Sequence, residues 1–344
     1  MNYLSYLNIK HFKGIEDLEL KDLSNINIIV GNNNCGKTSL LEAISLLESQ
    51  DNIKGMLNNT SRIDSGYPSK FELFLEIFPK AQDRAKSIQI NSTINGLTRE
   101  LKIGGSLTKV SDVEDNELEK NAFKGKISVK LEDKDLINKN IFLKENQSIK
   151  GCSDCDAIKI VYVTPYDHFR GNLINKGIEN IKESEKDKII NLLKMFDSNI
   201  LDFNILPTAN KNNQMTTYIN HEKYGLMPLF SFGDGVKKVF TLAAAVVSAK
   251  QGILLIDEIE TAIHKNMINE VFKWFVEACR EFEVQLICTT HSLEAIDGMI
   301  IGVGNETDSL SCFRIEIYDN KVYGTKFSGN KLKDIRTLLG QDVR

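Results

Sequence analysis

Gly31-Asn-Asn-Asn-Cys-Gly36-Lys37-Thr38 decides how this 344-residue chain is read. It stands between an apolar run, Ile26-Asn-Ile-Ile-Val30, and a segment of helical period, Ser39-Leu-Leu-Glu-Ala-Ile-Ser-Leu-Leu47. That is G-x-x-x-x-G-K-[ST] between a strand and a helix, the context a phosphate-binding loop requires. The two glycines let the backbone turn its N–H groups inward around phosphate oxygens, and the helix behind adds its N-terminal partial charge. On this reading Gly31, Asn32, Asn33, Asn34, Cys35, Gly36, Lys37, Thr38 and Ser39 form the triphosphate site. Lys37 supplies a charge to the β- and γ-phosphates and the Thr38 hydroxyl ligates Mg2+. At about 7% Gly the bare pattern arises by chance in roughly one chain in a hundred of this length, so an ordinary Gly-rich turn is the weaker reading.

A second half of the site is expected further along. Gly252-Ile-Leu-Leu-Ile256 runs straight into Asp257-Glu258, an apolar strand that delivers a carboxylate at its end. Asp257 then completes the magnesium shell, and Glu258, one residue on, polarises a water in line with the γ-phosphate as catalytic base. Glu283-Val-Gln-Leu-Ile-Cys288-Thr-Thr-His291-Ser292 is another apolar strand. Ligands of open α/β sheets bind outside the carboxyl ends of the strands, so His291 is expected to face the same crevice and meet the γ-phosphate. Ser231-Phe-Gly-Asp-Gly235 precedes the apolar helix Val239–Val247. Ser231, Gly233 and Gly235 read either as a second anion-binding helix start or as a plain Gly-rich N-cap.

The bulk numbers narrow the class. A net charge of −4 gives no global pull towards nucleic acid or an anionic membrane, and a local basic groove stays open. No apolar run approaches the roughly 20 residues of a membrane span, and Met1-Asn-Tyr-Leu-Ser lacks a signal peptide's charged and apolar regions, so a cytoplasmic protein is expected. Cys152 and Cys155 form one CxxC pair without a second half at zinc-site spacing, which favours two free thiols in a surface loop over a metal. Alternating segments at Tyr3–Lys10 and Ile15–Leu20 read as strands, followed by an antiparallel meander through Phe71–Phe78, Ser87–Ile94, Thr98–Ile103, Lys126–Leu131 and Asn140–Leu143. Ser111–Lys120 reads as a solvated acidic loop or exposed helix, and Ala157–Thr164 as a buried strand stopped by Pro165. Arg170–Phe203 is amphipathic at helical period and reads as a helical arm.

In order, these motifs resemble the ABC-type ATPase superfamily, and within it the RecF/SMC/OLD-like branch of small AAA-family ATPases. The opening Leu7-Asn-Ile-Lys-His-Phe-Lys13-Gly14, the Asn-rich loop, Asp257-Glu-Ile-Glu-Thr-Ala-Ile-His264 and Gln285–Glu294 carry the resemblance over residues 1 to about 300. It implies an α/β fold: an ABC-type P-loop ATPase head with a mixed sheet, an antiparallel β insert and a helical arm. The expected division is 1–165 for the nucleotide lobe with its insert, 166–225 for the arm, 226–300 for the second lobe and 301–344 for a hairpin and helix. It also implies ATP and Mg2+ as ligands, Lys13 near the phosphates, His291 as a switch histidine, and Ser231, Gly233 and Gly235 acting in trans across an ATP-sandwiched homodimer. There are departures: the signature is not Leu-Ser-Gly-Gly-Gln, His264 stands where transporter ATPases carry an Asp, and Pro165-Tyr-Asp-His occupies the place of a Q-loop glutamine.

Only 52 residues follow Ser292, too few for the Toprim nuclease that OLD nucleases append, so an effector is expected on a separate chain. Three functions are then open. The first is an ATPase that dimerises around ATP and gates a separate nuclease in bacterial antiphage defence. The second is a RecF-like repair ATPase that clamps DNA, and the third, disfavoured by the β insert, is a transporter's nucleotide-binding subunit.

Overall fold

The computed structural model describes residues 3–48, 52–60, 69–80, 85–111, 119–145, 158–170, 181–207, 215–319 and 321–344. Strands Leu4–Phe12 (β1), Ile15–Lys21 (β2) and Ile26–Val30 (β3) lead into helices Lys37–Ser45 (α1), Ile53–Thr60 (α2) and Lys70–Leu75 (α3). Ala85–Ile94 (β4), Leu97–Ser111 (β5), Glu119–Leu131 (β6) and Lys134–Lys144 (β7) form a meander, and Ile160–Val163 (β8) follows. Then come Asp167–Arg170 (α4), Glu183–Lys194 (α5), Ile200–Pro207 (β9), Met215–His221 (β10), Gly225–Pro228 (β11) and Asp234–Ser248 (α6). The chain continues through Ile253–Ile256 (β12), Lys265–Glu281 (α7), Gln285–Thr289 (β13), Leu293–Val303 (α8), Leu310–Tyr318 (β14), Lys321–Ser328 (β15) and Gly329–Thr337 (α9).

Two six-stranded sheets carry the architecture. One is wholly antiparallel in the order β2-β1-β4-β5-β6-β7. The other runs β15-β14-β3-β13-β12-β8, parallel except for the edge strand β15. Every residue of β3, β12 and β13 is buried, as expected of parallel strands covered on both faces. Alternate side chains of these strands feed two separate cores. Ile28, Val30, Leu254, Ile256 and Leu286 point into the core that holds α6, α7 and α8. Ile29, Ile253, Leu255 and Ile287 point into the one shared with α1 and the antiparallel sheet.

Gln285 locks the two sheets together. Its side chain donates to the carbonyls of Leu4 (2.8 Å) and Ser24 (2.9 Å) and accepts the Leu4 N–H at 2.7 Å, all in the interior. Asn27, fully buried in β3, likewise donates to Ser24 and Leu286 carbonyls. Polar residues sit inside these strands because each closes backbone groups that no ladder reaches.

Three expectations change. Phe71–Phe78 is not a strand of the meander: Lys70–Leu75 is helical, with Ser69 and Glu72 forming a reciprocal capping box. Phe71, Phe74 and Phe78 share one buried face at helical spacing, and the Phe74 ring meets Phe78 and Phe123 at 5.4 and 5.1 Å. Of the arm expected at 166–225, fewer than half of the described residues are helical. Among the described residues it holds α4, α5 and the antiparallel sheet β11-β10-β9, with α5 lying on α6 rather than projecting. The four-part division also cuts through the parallel sheet, which takes β3 and β8 from the first part, β12 and β13 from the third, and β14 and β15 from the last. The meander is present at β4–β7, the strand before Pro165 spans Ile160–Val163 with its end residues buried, and β14, β15 and α9 close the described chain. Cys152 and Cys155, and most of the acidic stretch 111–120, lie outside the described residues.

Candidate functional site

The loop after β3 curls because two glycines take conformations closed to other residues. Gly31 has φ 142°, and a Cβ there would collide with the Ile315 carbonyl oxygen of β14. Gly36 caps α1 from the left-handed region at φ 98°. Lys37, buried in the first turn, folds its ammonium back onto the carbonyls of Gly31 (2.9 Å) and Asn32 (2.8 Å). The lysine therefore holds the loop's curl while its charge stays at the loop's mouth.

β12 and β13 bring the second half to the same point. Thr38 Oγ1 donates to Asp257 Oδ2 at 2.9 Å, and Thr289 Oγ1 donates to Asp257 Oδ1 at 2.6 Å. Burial pushes the Asp257 carboxyl above the usual range, against the pull of these two hydroxyls. Thr289 also accepts the Glu258 N–H at 2.8 Å. Glu258 lies in the left-handed region at φ 49°, a conformation that costs a non-glycine residue energy and that recurs at active sites. This turn aims the Glu258 side chain into a cleft of about 330 Å3 lined by Asn33, Asn34, Gly36, Lys37, Thr38, Ser39, Asp257, Glu258, Thr289 and His291.

Asn33, Asn34 and the run from Gly36 to Ser39 thus share one cleft with Asp257, Glu258 and His291 across the strand ends. Gly31, Asn32 and Cys35 shape the loop behind it. Two groups lie elsewhere. The Lys13 ammonium, just after β1, sits on Glu42 of α1 at 2.7 Å and on the Thr60 carbonyl at 3.0 Å. Ser231, Gly233 and Gly235 surround the start of α6 and do not line the cleft; Ser231 and Gly233 are exposed.

Two residues were missed in the sequence. Glu260 accepts the Thr290 hydroxyl on one oxygen and the His291 N–H on the other, both at 2.8 Å, and so fixes the backbone of the histidine. Its only signal was position, two residues beyond Glu258. Lys238 in α6 is fully buried, and its ammonium has no hydrogen-bond partner among the described residues. Burial pushes its pKa down to about 8 despite the nearby charges of Glu260, Asp167, Glu258 and Asp257. Asp167 and His168, at the place where a Q-loop glutamine was sought, begin the short helix that packs on α6.

The donor set fits magnesium triphosphate. Thr38 and Asp257 give a hard oxygen pair, and among the described residues no cluster of three or more His, Cys, Asp or Glu forms a dedicated metal cage. Such a pair matches Mg2+, which takes few protein ligands and completes its shell with phosphate oxygens and water.

A family model described as "AAA domain, putative AbiEii toxin, Type IV TA system" matches residues 26–297. An "ATP/GTP phosphatase" of Helicobacter pylori (strain ATCC 700392 / 26695) is 23% identical over 327 residues, covering 85% of this chain and 86% of the relative. A "DNA replication and repair protein RecF" of Pseudoalteromonas translucida (strain TAC 125) is 39% identical over 112 residues, 32% of this chain and 29% of that one. Among solved structures, an Smc head domain with an extended coiled coil, bound to the C-terminal domain of ScpA and derived from Pyrococcus furiosus, superposes with a TM-score of 0.57. It is 13% identical and covers 99% of this chain and 100% of the other. RecF bound to "ATPrS" superposes at 0.50 with 14% identity, covering 94% and 98%. At these identities the superpositions speak for the fold.

Proposed function

Since the chain belongs to the AAA-domain family matched over residues 26–297 and is an ATPase of the RecF/SMC-like ABC type, we propose that it closes as a homodimer around Mg-ATP and uses that closure to gate a separate effector. Lys37 and the loop N–H groups hold the phosphates. Thr38 and Asp257 would hold a magnesium ion, which would supply charge neutralisation to the phosphates. Glu258 would take the proton of the attacking water, and His291, which lines the same cleft, would donate to the γ-phosphate.

The observation that carries the dimer is the separation of the two halves of the motif set. Ser231 and Gly233 stand exposed at the start of a 15-residue helix, outside the cleft that holds Lys37 and Thr38. A helix start with free N–H donors suits the γ-phosphate of a second subunit. The effector, a nuclease in cytoplasmic antiphage defence, is carried over from the resemblance to OLD-like ATPases.

The test is Glu258→Gln with ATP and Mg2+, followed by light scattering. The variant is expected to bind ATP, hydrolyse it at least about 100-fold more slowly and accumulate as a dimer, as removal of a general base generally costs 10²–10⁴-fold. Unchanged turnover overturns the base assignment, and a variant that stays monomeric with ATP bound overturns the sandwich.

A second reading, a RecF-like clamp on DNA, is favoured by one surface. The antiparallel sheet presents Lys124, Lys126 and Lys130 exposed on a single face, which Lys102 shares while ion-paired with Glu100 at 2.7 Å. Duplex DNA binding that weakens steeply with salt, and is lost when Lys124 and Lys126 become Glu, supports this reading.

A further inference from the structure

We propose that residues Leu338–Arg344 act as a latch on His291, with Arg344 as the positioning residue. Arg344 Nη1 donates to the His291 carbonyl oxygen at 2.6 Å. The peptide groups flanking the histidine are therefore gripped on both sides: Glu260 takes the N–H and Arg344 takes the C=O. Immediately after it, Ser292 caps α8 by accepting the Ala295 N–H. The backbone that carries the imidazole into the ATP cleft thus depends on a residue 53 positions further along the chain.

The latch is built rather than incidental. Arg344 is aimed by a fork onto Asp342, with Nε to Oδ1 at 3.0 Å and Nη2 to Oδ2 at 2.6 Å. That fork holds the Asp342 carboxyl down to about 2. Val343 between them is buried and joins the core under α8, so the segment is pinned from beneath. A second fork, Arg336 on Asp297, ties α9 to α8, and Arg336 also donates to the Gln341 carbonyl at 2.6 Å. Leu338 and Leu339 are 76% and 63% exposed at the other end of the segment. The whole clip is therefore a surface strap that meets the backbone of His291 from outside the lining of the cleft. It rests on the reading of His291 as a γ-phosphate contact.

The experiment is a steady-state comparison of wild type, Arg344→Ala, Arg344→Lys, His291→Ala and the Arg344→Ala/His291→Ala double variant, with Mg-ATP. One charged hydrogen bond on a partly exposed carbonyl predicts a fall in kcat of about 3- to 10-fold for Arg344→Ala, with KM within about 2-fold. Arg344→Lys keeps a donor but loses the fork, and is expected to recover part of the loss. In the His291→Ala background the same change is expected to cost nothing further. Wild-type kcat in Arg344→Ala, or an equal loss with and without His291, overturns the latch. If Arg344→Ala folds poorly, Asp342→Asn takes its place, since it releases the fork and leaves Arg344 itself intact; a fall in kcat supports the latch and wild-type kcat overturns it. Should the wild-type protein hydrolyse no ATP, the proposed function falls, and hydrogen exchange over Thr290–Leu293 decides the latch alone. Faster exchange in Arg344→Ala supports it and unchanged exchange overturns it.

Discussion

Thr38 donates to Asp257 at 2.9 Å across 219 residues of chain, joining the phosphate loop to the end of β12. This hydroxyl and this carboxylate are the pair proposed to hold magnesium, and Thr289 restrains the other carboxylate oxygen. Burial raises the Asp257 carboxyl, which means that keeping it ionised costs the folded chain stability.

Asp257→Asn is expected to separate stability from turnover. The raised carboxyl costs stability above its folded pKa, and the cost fades as pH falls and the proton is taken up. At pH 7 without nucleotide the Asn variant should be more stable by about 1 kcal/mol, with the advantage shrinking towards pH 4. Phosphate release with Mg2+ should fall at least about 100-fold, because a neutral amide is a poor ligand for a hard cation. Urea melts at several pH values, set beside the ATPase assay, check both halves.

Lys238 calls for the opposite pH dependence. Its pKa is pushed down to about 8, so the cost of burying the ammonium is fully present below pH 8 and is relieved as pH rises towards the ordinary lysine value near 10.5. Lys238→Met removes that charge from a fully buried site where the ammonium has no hydrogen-bond partner among the described residues. The variant should be more stable than wild type at pH 7 by about 1–3 kcal/mol, and the gap should close by pH 10. A gap that is flat across this range means that the lysine is paired in solution.

Gln285→Ala tests the lock between the sheets. It leaves both polar groups of Leu4 and the Ser24 carbonyl without their buried partner. The loss should be about 2–4 kcal/mol in chemical denaturation, since each stranded buried group costs about 1–3 kcal/mol and some find water. Gln285→Glu should be worse, for it adds a buried charge and loses both donors.

How much of this was legible beforehand follows from the range of the forces involved. The phosphate loop, Asp257-Glu258 and His291 were readable because each follows a largely apolar, fully buried strand with polar residues at its carboxyl end, and parallel sheets gather such ends in one place. Phe71–Phe78 misled because a run with apolar residues at 71, 73, 74, 75, 77 and 78 satisfies both periods. The capping box at Ser69 and Glu72 was the deciding local signal. The strands β9–β11 were hidden by the amphipathic helix before them, and the Lys13–Glu42 pair by the 29 residues that separate its members. Glu260, Lys238 and Arg344 carry no motif. Their roles come from contacts across the fold, which periodicity and spacing do not encode.

Glu260 offers the sharpest test of how the histidine is held. Its two carboxylate oxygens each accept one bond, from the Thr290 hydroxyl and from the His291 N–H. Glu260→Gln can still accept the amide with its oxygen while its NH2 turns to the Thr290 hydroxyl, which is able to accept as well as donate. That variant should keep turnover within about 3-fold of wild type. Glu260→Ala strands the His291 N–H and frees the loop, and should lower kcat by about 10-fold or more, on the order of the 1–3 kcal/mol lost when a buried donor goes unmet. KM for Mg-ATP should move less than kcat, because Lys37 and its loop, the proposed phosphate holders, are left intact. Equal losses in the Gln and Ala variants point instead to the negative charge of Glu260, beside the buried Lys238, as the property that matters.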